Sequence, residues 1–162
     1  MDIALVRVDN RLVHGQILEA WVPFTKSSAI IVVDDQVAND FFRETVIKMA
    51  VPRDIEVIVS NVEDFADNYK YGRGQGRKAI VLFSVIADAL RAFQGGFIFD
   101  TLNIGNVYSE ECLKQCSPSV MLDGEDIETI RIFLDAGVNI DVRRVPREKP
   151  IDILKLITMI GA

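Results

Sequence analysis

The segment "RVDNRLVHGQI" (residues 7–17) holds the only histidine of the chain, His14, between an apolar run and a helical pattern. Arg11 lies three residues before it and Gly15 follows it directly. The backbone N–H groups of a turn that enters a helix can hold an anion, and the forked guanidinium of arginine matches phosphate oxygens. An imidazole nucleophile beside such an anion site can carry a phosphoryl group. Phosphoryl transfer on His14 is therefore one chemistry that this spacing allows.

Other roles for His14 stay open from spacing alone. The ring could cap the following helix or fill a polar pocket, and Asp9 could hydrogen-bond either the ring or Arg11. Metal binding is less favoured, because one histidine with carboxylates can hold a hard cation but no ligand spacing here supports zinc. We expect neither a metal nor a cofactor.

The composition is typical of a single globular domain that spans residues 1–162. Apolar residues make up 49% of the chain, charged residues 26%, and the net charge is −6, which argues against nucleic acid as the main partner. No apolar run is long enough to span a bilayer, and the first residues do not resemble a signal peptide. We therefore expect a cytoplasmic protein. In that compartment Cys112 and Cys116, which a helix would place on one face, are expected to be reduced and packed as small apolar residues.

Short β-rich runs alternate with windows of helical spacing. The seven runs cover residues 3–8, 29–33, 55–59, 79–83, 97–104, 120–122 and 138–142. Strands that are apolar on both faces, separated by amphipathic helices, predict a doubly wound α/β fold: a mainly parallel, open sheet of about seven strands with helices on both faces. One helical stripe that is expected to cover this sheet consists of Ala38, Phe41, Phe42, Thr45, Val46 and Met49.

This fold places ligands beyond the carboxyl ends of the strands, where the strand order reverses. Residues 9–15 follow the first strand, so His14 is expected at the site edge of the sheet. The later strands are followed by further candidates: Asp34, Asp35, Ser60, Asn61, Ser84, residues 103–106, Asp123, Arg143 and Arg144. The glycine-rich stretch "YGRGQGRK" (residues 71–78) precedes a strand, lacks the ending of a P-loop, and predicts a basic surface turn.

Asp34 and Asp35 raise an alternative, because paired aspartates after a strand resemble receiver domains, which are phosphorylated on aspartate with Mg²⁺. These two follow the second strand and lead straight into a helix, as capping carboxylates do. Helix capping is therefore the favoured interpretation.

The histidine segment, followed by Trp21, resembles the active-site segment of the IIB component of the mannose/fructose/sorbose branch of the bacterial phosphoenolpyruvate-dependent sugar phosphotransferase system. The likeness continues in "IIVVDDQVANDFFRETVIKMAVP" (residues 30–52), "LNIGNV" (102–107) and "GVNIDVRRVPREKP" (137–150). It covers essentially the whole chain in order.

The resemblance implies a phosphotransferase that works without a cofactor. In this family the IIB histidine accepts a phosphoryl group from a phosphohistidine on component IIA and donates it to a sugar carried by the membrane components IIC and IID. By motif position, His14 is the implied phosphoacceptor, through Nδ1, with Arg11 and Asp9 as the other catalytic residues. The implied phosphate-binding residues, which shape the loop or border it, are Asn10, Gly15, Gln16 and Ser84.

The implied partners are a separate IIA protein, the IIC and IID components and the sugar, with no nucleic acid and a possible homodimer. The protein is then expected in the cytoplasm, associated peripherally with the permease. A IIB-like regulatory phosphorylation sensor without a transport role is the alternative function.

The IIA protein must cover the His14 loop, and we expect a small interface with a positive rim. Tyr108 stands where family members often have glycine or histidine, so it is expected to alter this rim. The residues expected to contribute charge are Arg7, Arg11, Arg143 and Arg144, and those expected to contribute apolar contacts are Leu12 and Val13.

Overall fold

The computed structural model describes residues 1–69 and 76–158. The glycine-rich stretch predicted as a surface turn lies mostly outside these residues. The strands are β1 (Asp2–Asp9), β2 (Ala29–Val33), β3 (Glu56–Ser60), β4 (Lys78–Phe83), β5 (Thr101–Asn106), β6 (Lys114–Ser117), β7 (Val120–Leu122) and β8 (Asn139–Val142). A π-helical segment (Ile17–Trp21) runs into α1 (Val22–Thr25), and the other helices are α2 (Asp35–Ala38), α3 (Phe41–Ala50), α4 (Val62–Tyr69), α5 (Ile86–Gln94), α6 (Gly124–Asp135) and α7 (Ile153–Thr158).

Six of the strands form one parallel sheet in the order β3-β2-β4-β1-β5-β8, which confirms the predicted α/β class. The predicted run 120–122 is instead β7, which pairs antiparallel with β6 outside this sheet. The polar sequence of β6 carries no apolar alternation, so the sequence did not predict it. The chain moves to one side of β1 for β2–β4 and to the other side for β5 and β8, so the end of β1 lies where the strand order reverses.

Helices cover both faces of the sheet. The larger core lies under α4, α5 and α6 and includes Phe65, Phe83 and Phe133. On the other face, Ile17, Trp21 and the side chains around them pack on β2 and β4. Within the described residues, no helix is both long and apolar enough to cross a bilayer.

Helix α3 departs from the sequence prediction. Its apolar stripe was expected to cover the sheet, yet Phe41, Phe42 and Met49 are each more than three-quarters exposed. Ile47 is the α3 side chain that packs against the core. The stripe therefore points away from the sheet.

The two cysteines do not share a helix face. Cys112 lies in the loop before β6 and Cys116 lies within that strand. Both are partly buried and free, and burial raises the pKa of the Cys116 thiol. The prediction of unbridged, partly packed thiols is confirmed, although the helix that was considered for them is absent.

Candidate active site

The loop after β1 turns back sharply at Leu12. The N–H of Leu12 donates to the carbonyl of Asp9 (2.9 Å), and the N–H of Arg11 donates to Asp9 Oδ1 (2.9 Å). Leu12 has φ 57°, a left-handed conformation that costs a leucine on the order of 1–3 kcal/mol. Its side chain is buried with Ile17 and Trp21, and that burial offsets the strain. The expected docking role of Leu12 is therefore wrong, since Leu12 holds the loop in place from below.

The helical turn after the loop begins at His14. Its carbonyl accepts from the N–H groups of Ile17 (3.0 Å) and Leu18 (3.2 Å). Gly15 is exposed, and a Cβ built on it would meet only Glu19 Oε2, at 3.9 Å. The space beside the ring is thus open on the Gly15 side, as expected for a residue that lets a partner approach.

The imidazole of His14 is held by Asp9. His14 Nε2 lies 2.7 Å from Asp9 Oδ2, whose side chain is fully buried. Burial alone would raise the pKa of Asp9, but the hydrogen bond from His14, the charge of Arg7 and the hydrogen bond from Asn106 outweigh it, and the net pKa is lowered. An ionised carboxylate can only accept hydrogen bonds, so the proton of the neutral ring resides on Nε2.

In the neutral ring, a proton on Nε2 leaves Nδ1 with a free lone pair. Nδ1 is buried and has no hydrogen-bond partner among the residues that the structure describes. In the neutral ring its lone pair therefore has no competing donor among those residues. A nitrogen in this state is a nucleophile whose orientation is fixed from the opposite side of the ring.

A buried cation supports Asp9 from below. Arg7 is fully buried, and its Nε and Nη2 donate to Asp9 Oδ2 at 3.2 and 3.0 Å. Burial lowers the pKa of Arg7 and the Asp9 carboxylate opposes that effect, while arginine stays charged in either case. Gln16 Oε1 accepts from Arg7 Nη2 (3.1 Å) and from Asn106 Nδ2 (3.0 Å). The placement of Arg7 on a docking rim is wrong, because it lies beneath the histidine loop.

Gly105 makes the room for this cation. The pairing of β1 with β5 shifts by one residue between Val8 and Asp9, so Gly105 is an extra residue that forms a bulge. A Cβ at Gly105 would lie 2.0 Å from the Arg7 guanidinium carbon. Only glycine allows the guanidinium to lie against this strand. Residues 103–106 are predicted site residues by their place after a strand, but no sequence pattern indicates this contact.

The loop after β8 closes over the same cation. Arg7 Nη1 donates to the carbonyl of Arg144 (2.9 Å), and the indole N–H of Trp21 donates to the same oxygen (2.8 Å). Arg143 bonds Asp141 Oδ2 (3.0 Å), and the exposed Arg144 pairs with a glutamate four residues on. Arg143 and Arg144, two of the four arginines expected on the rim, thus carry charges that are already paired.

A cleft of about 660 Å³ opens beside His14. Arg11 and Arg147 line it from opposite loops, and both are exposed. Neither guanidinium has a hydrogen-bond or ion-pair partner within residues 1–69 and 76–158. The remaining lining residues are Gly15, Gln16, Glu19, Ala20, Phe24, Val145 and Pro146. Arg147, the third arginine of "RRVPR", is not among the predicted site residues, because it lies beyond the residues that directly follow β8.

Asn10 and Ser84 lie outside this cleft and brace the loop. Asn10 Nδ2 donates to the carbonyl of Ser84 (2.6 Å), and Asn10 Oδ1 accepts from the N–H of Tyr108 (2.6 Å). The hydroxyl of Ser84 donates to Asp34 Oδ2 (2.5 Å). Asn10 thus connects the ends of β1, β4 and β5, and the exposed Tyr108 lies at the edge of this connection.

The paired aspartates are helix-capping and bridging residues. Asp34 Oδ1 accepts from the N–H of Val37 (2.9 Å) at the start of α2. Asp35 accepts from the N–H of Val62 (2.9 Å) and pairs with Arg91. The capping interpretation is confirmed, and these contacts give no support to a receiver-type site.

The chain is similar to known proteins over nearly its whole length. Residues 3–161 match the family model described as "PTS system sorbose subfamily IIB component". The chain is 30% identical to a fructose-specific EIIB component of Bacillus subtilis over 97% of this chain and 96% of that protein. It is 31% identical to the mannose-specific EIIAB component of Escherichia coli over 99% of this chain, which spans 50% of that longer protein.

A solved structure shows the same architecture. The IIB domain of the sorbose permease from Klebsiella pneumoniae superposes with a TM-score of 0.88 at 32% identity, over 99% of each chain. With the whole-length family match, this likeness extends the resemblance found in the histidine segment to the complete fold. The chain belongs to the sorbose subfamily of IIB components of the sugar phosphotransferase system, and it is a phosphotransferase.

Proposed function

We propose that His14 carries the phosphoryl group through Nδ1, accepting it from a phosphorylated IIA protein and passing it to a sugar at a IIC/IID permease. The observation that carries this proposal is the 2.7 Å contact between His14 Nε2 and Asp9, together with an Nδ1 that has no hydrogen-bond partner among the described residues. The Escherichia coli relative is named as an EIIAB component, which supports IIA as the donor. In the proposed cycle the protein works at the cytoplasmic side of the membrane.

The transfer has a simple electron balance. The Nδ1 lone pair forms a bond to phosphorus as the bond between phosphorus and the donor histidine breaks, and that bonding pair returns to the donor ring. The His14 ring becomes more positive as it accepts phosphorus, and the Asp9 carboxylate stabilises that charge through the Nε2 proton. When the sugar hydroxyl oxygen attacks phosphorus, the N–P bonding pair returns to Nδ1 and the hydroxyl proton is released.

Two groups at the loop suit the phosphoryl oxygens. Within the described part of the chain, the Arg11 guanidinium that lines the cleft has no partner. The Gln16 amide nitrogen has none there either, while its oxygen is held by Arg7. A charge-assisted contact from Arg11 favours the phosphorylated state, because it is strongest when the dianion is present. Since Nδ1 is buried in the free protein, side-chain movement at the loop must precede transfer.

The test is phosphorylation with phosphoenolpyruvate, the general phosphotransferase proteins and a IIA protein. We expect one phosphate per chain, labile in acid and stable in alkali, with the phosphorus on Nδ1 by ¹⁵N NMR of the ring. His14→Ala should remove it without loss of folding, because the side chain lies on a loop. An acid-stable or hydroxylamine-sensitive phosphate would assign the group to serine or aspartate and refute the proposal.

A further inference from the structure

The outward face of α3 is a continuous apolar surface. Four large side chains on it are exposed: Phe41 (82%), Phe42 (76%), Val46 (50%) and Met49 (81%). Because successive helical residues turn by about 100°, these four and Thr45 form one stripe along the helix. Ile47 lies on the opposite side and packs against the core. The helix thus has a regular apolar face that nothing in the described chain covers.

The size of this face argues for a protein partner. An aromatic side chain buries about 150–250 Å² when it is fully covered, so the four side chains together expose roughly 500 Å². That is near the upper end of the roughly 300–600 Å² of the largest apolar patch on an ordinary monomer. It is also more than half of the ~800 Å² that each partner contributes to a stable interface.

The charges beside the stripe are self-complementary. Glu44 and Lys48 lie along one edge of it and pair within the helix at 2.8 Å. Suppose that two copies of α3 pack antiparallel about a two-fold axis near Thr45. Each residue then faces a partner residue that lies about as far from the axis on the other side, so the numbers of two facing residues sum to about 90–92. Glu44 then faces the partner's Lys48, and Phe42 faces the partner's Met49. Opposed helix directions also place each positive helix end beside a negative one.

We infer that α3 is the contact face of a homodimer, with a second copy of this chain packed antiparallel on it. Strand β4 separates β2, which precedes α3 in the chain, from β1, which carries the His14 loop. None of the exposed α3 side chains lines the cleft beside His14, so the dimer does not use the lining of that cleft. A ten-residue helix gives a small interface, and we expect a dissociation constant on the order of 10 µM.

Sedimentation from about 1 to 200 µM covers the concentration range in which such a dimer forms. Replacing both phenylalanines, Phe41→Ser with Phe42→Ser, should weaken the dimer by at least about tenfold. Ile98→Ser is the matched control, because Ile98 is 67% exposed and lies outside α3. A chain that is monomeric at every concentration, or a dimer that tolerates the phenylalanine changes, overturns the inference and leaves α3 to a different partner.

Charge exchange tests the antiparallel arrangement. Glu44→Lys and Lys48→Glu should each weaken self-association, because like charges then face each other across the axis. Mixing the two variants should restore a heterodimer, in which lysines face glutamates. Each variant has lost its pair within the helix, so any rescue arises between chains. Failure to rescue overturns the inference, whereas phosphorylation of His14 should proceed in all these variants and reports separately on the proposed function.

Discussion

Replacing Gly105 by alanine is expected to destabilise the fold by about 3–5 kcal/mol, the range for breaking a buried ion pair. The new Cβ would lie 2.0 Å from both Cζ and Nη2 of Arg7. The guanidinium cannot stay there, and moving it breaks the bonds of Nη2 to Asp9 (3.0 Å) and Gln16 (3.1 Å). Each charge-assisted bond contributes about 1.5–3 kcal/mol, and Asp9 is left buried without its cation.

Urea unfolding followed by the fluorescence of Trp21, the only tryptophan, measures this effect. At about 2–4 °C per kcal/mol for a chain of this size, the melting temperature should fall by roughly 10 °C. Gly15→Ala is the matched control in the same site, since its Cβ meets nothing closer than 3.9 Å. We expect that control to stay within about 0.5 kcal/mol of the wild type.

A double-mutant cycle provides the refutation. If the contact with Arg7 causes the loss, Gly105→Ala should destabilise an Arg7→Ala background by less than about 1 kcal/mol. Equal destabilisation in both backgrounds would mean that the bulge itself, and not the space for the guanidinium, requires glycine.

Three further outcomes are expected. Asp9→Asn should slow phosphorylation of His14 by roughly two orders of magnitude, because an amide can donate to Nε2 and so favour the tautomer with the proton on Nδ1. ¹⁵N NMR of the ring reports the tautomer, and a wild-type rate would contradict the role given to Asp9. Arg11→Ala should shift the phosphoryl equilibrium back toward IIA by about 1–3 kcal/mol, with Arg11→Lys restoring part of it; an unchanged equilibrium would remove Arg11 from the site. Burial is the main cause that raises the pKa of Asp126 to about 6. The folded state therefore binds this proton more tightly than the unfolded state, and the free energy of unfolding that the proton contributes is lost as pH rises through about 6. The stability of the wild type relative to Asp126→Asn should therefore fall between about pH 4 and 6.5 in urea titrations and stay level above that range, and a constant difference across it would mean that the pKa is not raised.

The sequence predicted those features that follow from local pattern and topology. Runs of apolar residues identified all six strands of the main sheet, and the rule for parallel sheets placed His14 at the correct edge. The burial of Arg7 had a signal, since it interrupts an apolar strand two residues before Asp9 and so shares its face. Its partners at residues 143 and 144 are 136 and 137 positions away, a distance that no local pattern encodes.

Helix α3 illustrates a different limit of sequence analysis. The apolar period of residues 41–49 is the same whether the stripe faces a sheet or another molecule. Only the position of Ile47 against the core shows which side is turned inward. Periodicity therefore predicted the helix and its stripe, and the structure was needed to show that the stripe is exposed.

The long-range ties of Arg7 also set the order in which a newly made chain can become active. His14 leaves the ribosome early, but the strand before it, β1, pairs with the later strands β4 and β5. The hydrogen bonds of Arg7 are complete only when the backbone carbonyls after β8 have been made. At synthesis rates of about 5–20 residues per second, roughly 6 to 26 seconds separate the histidine from the last of these supports. Until then Asp9, which selects the ring tautomer, lacks the complete set of contacts that holds it in place. A nascent or C-terminally shortened chain would thus expose the histidine without competing for the phosphorylated donor, because the nucleophile is assembled only near the end of synthesis.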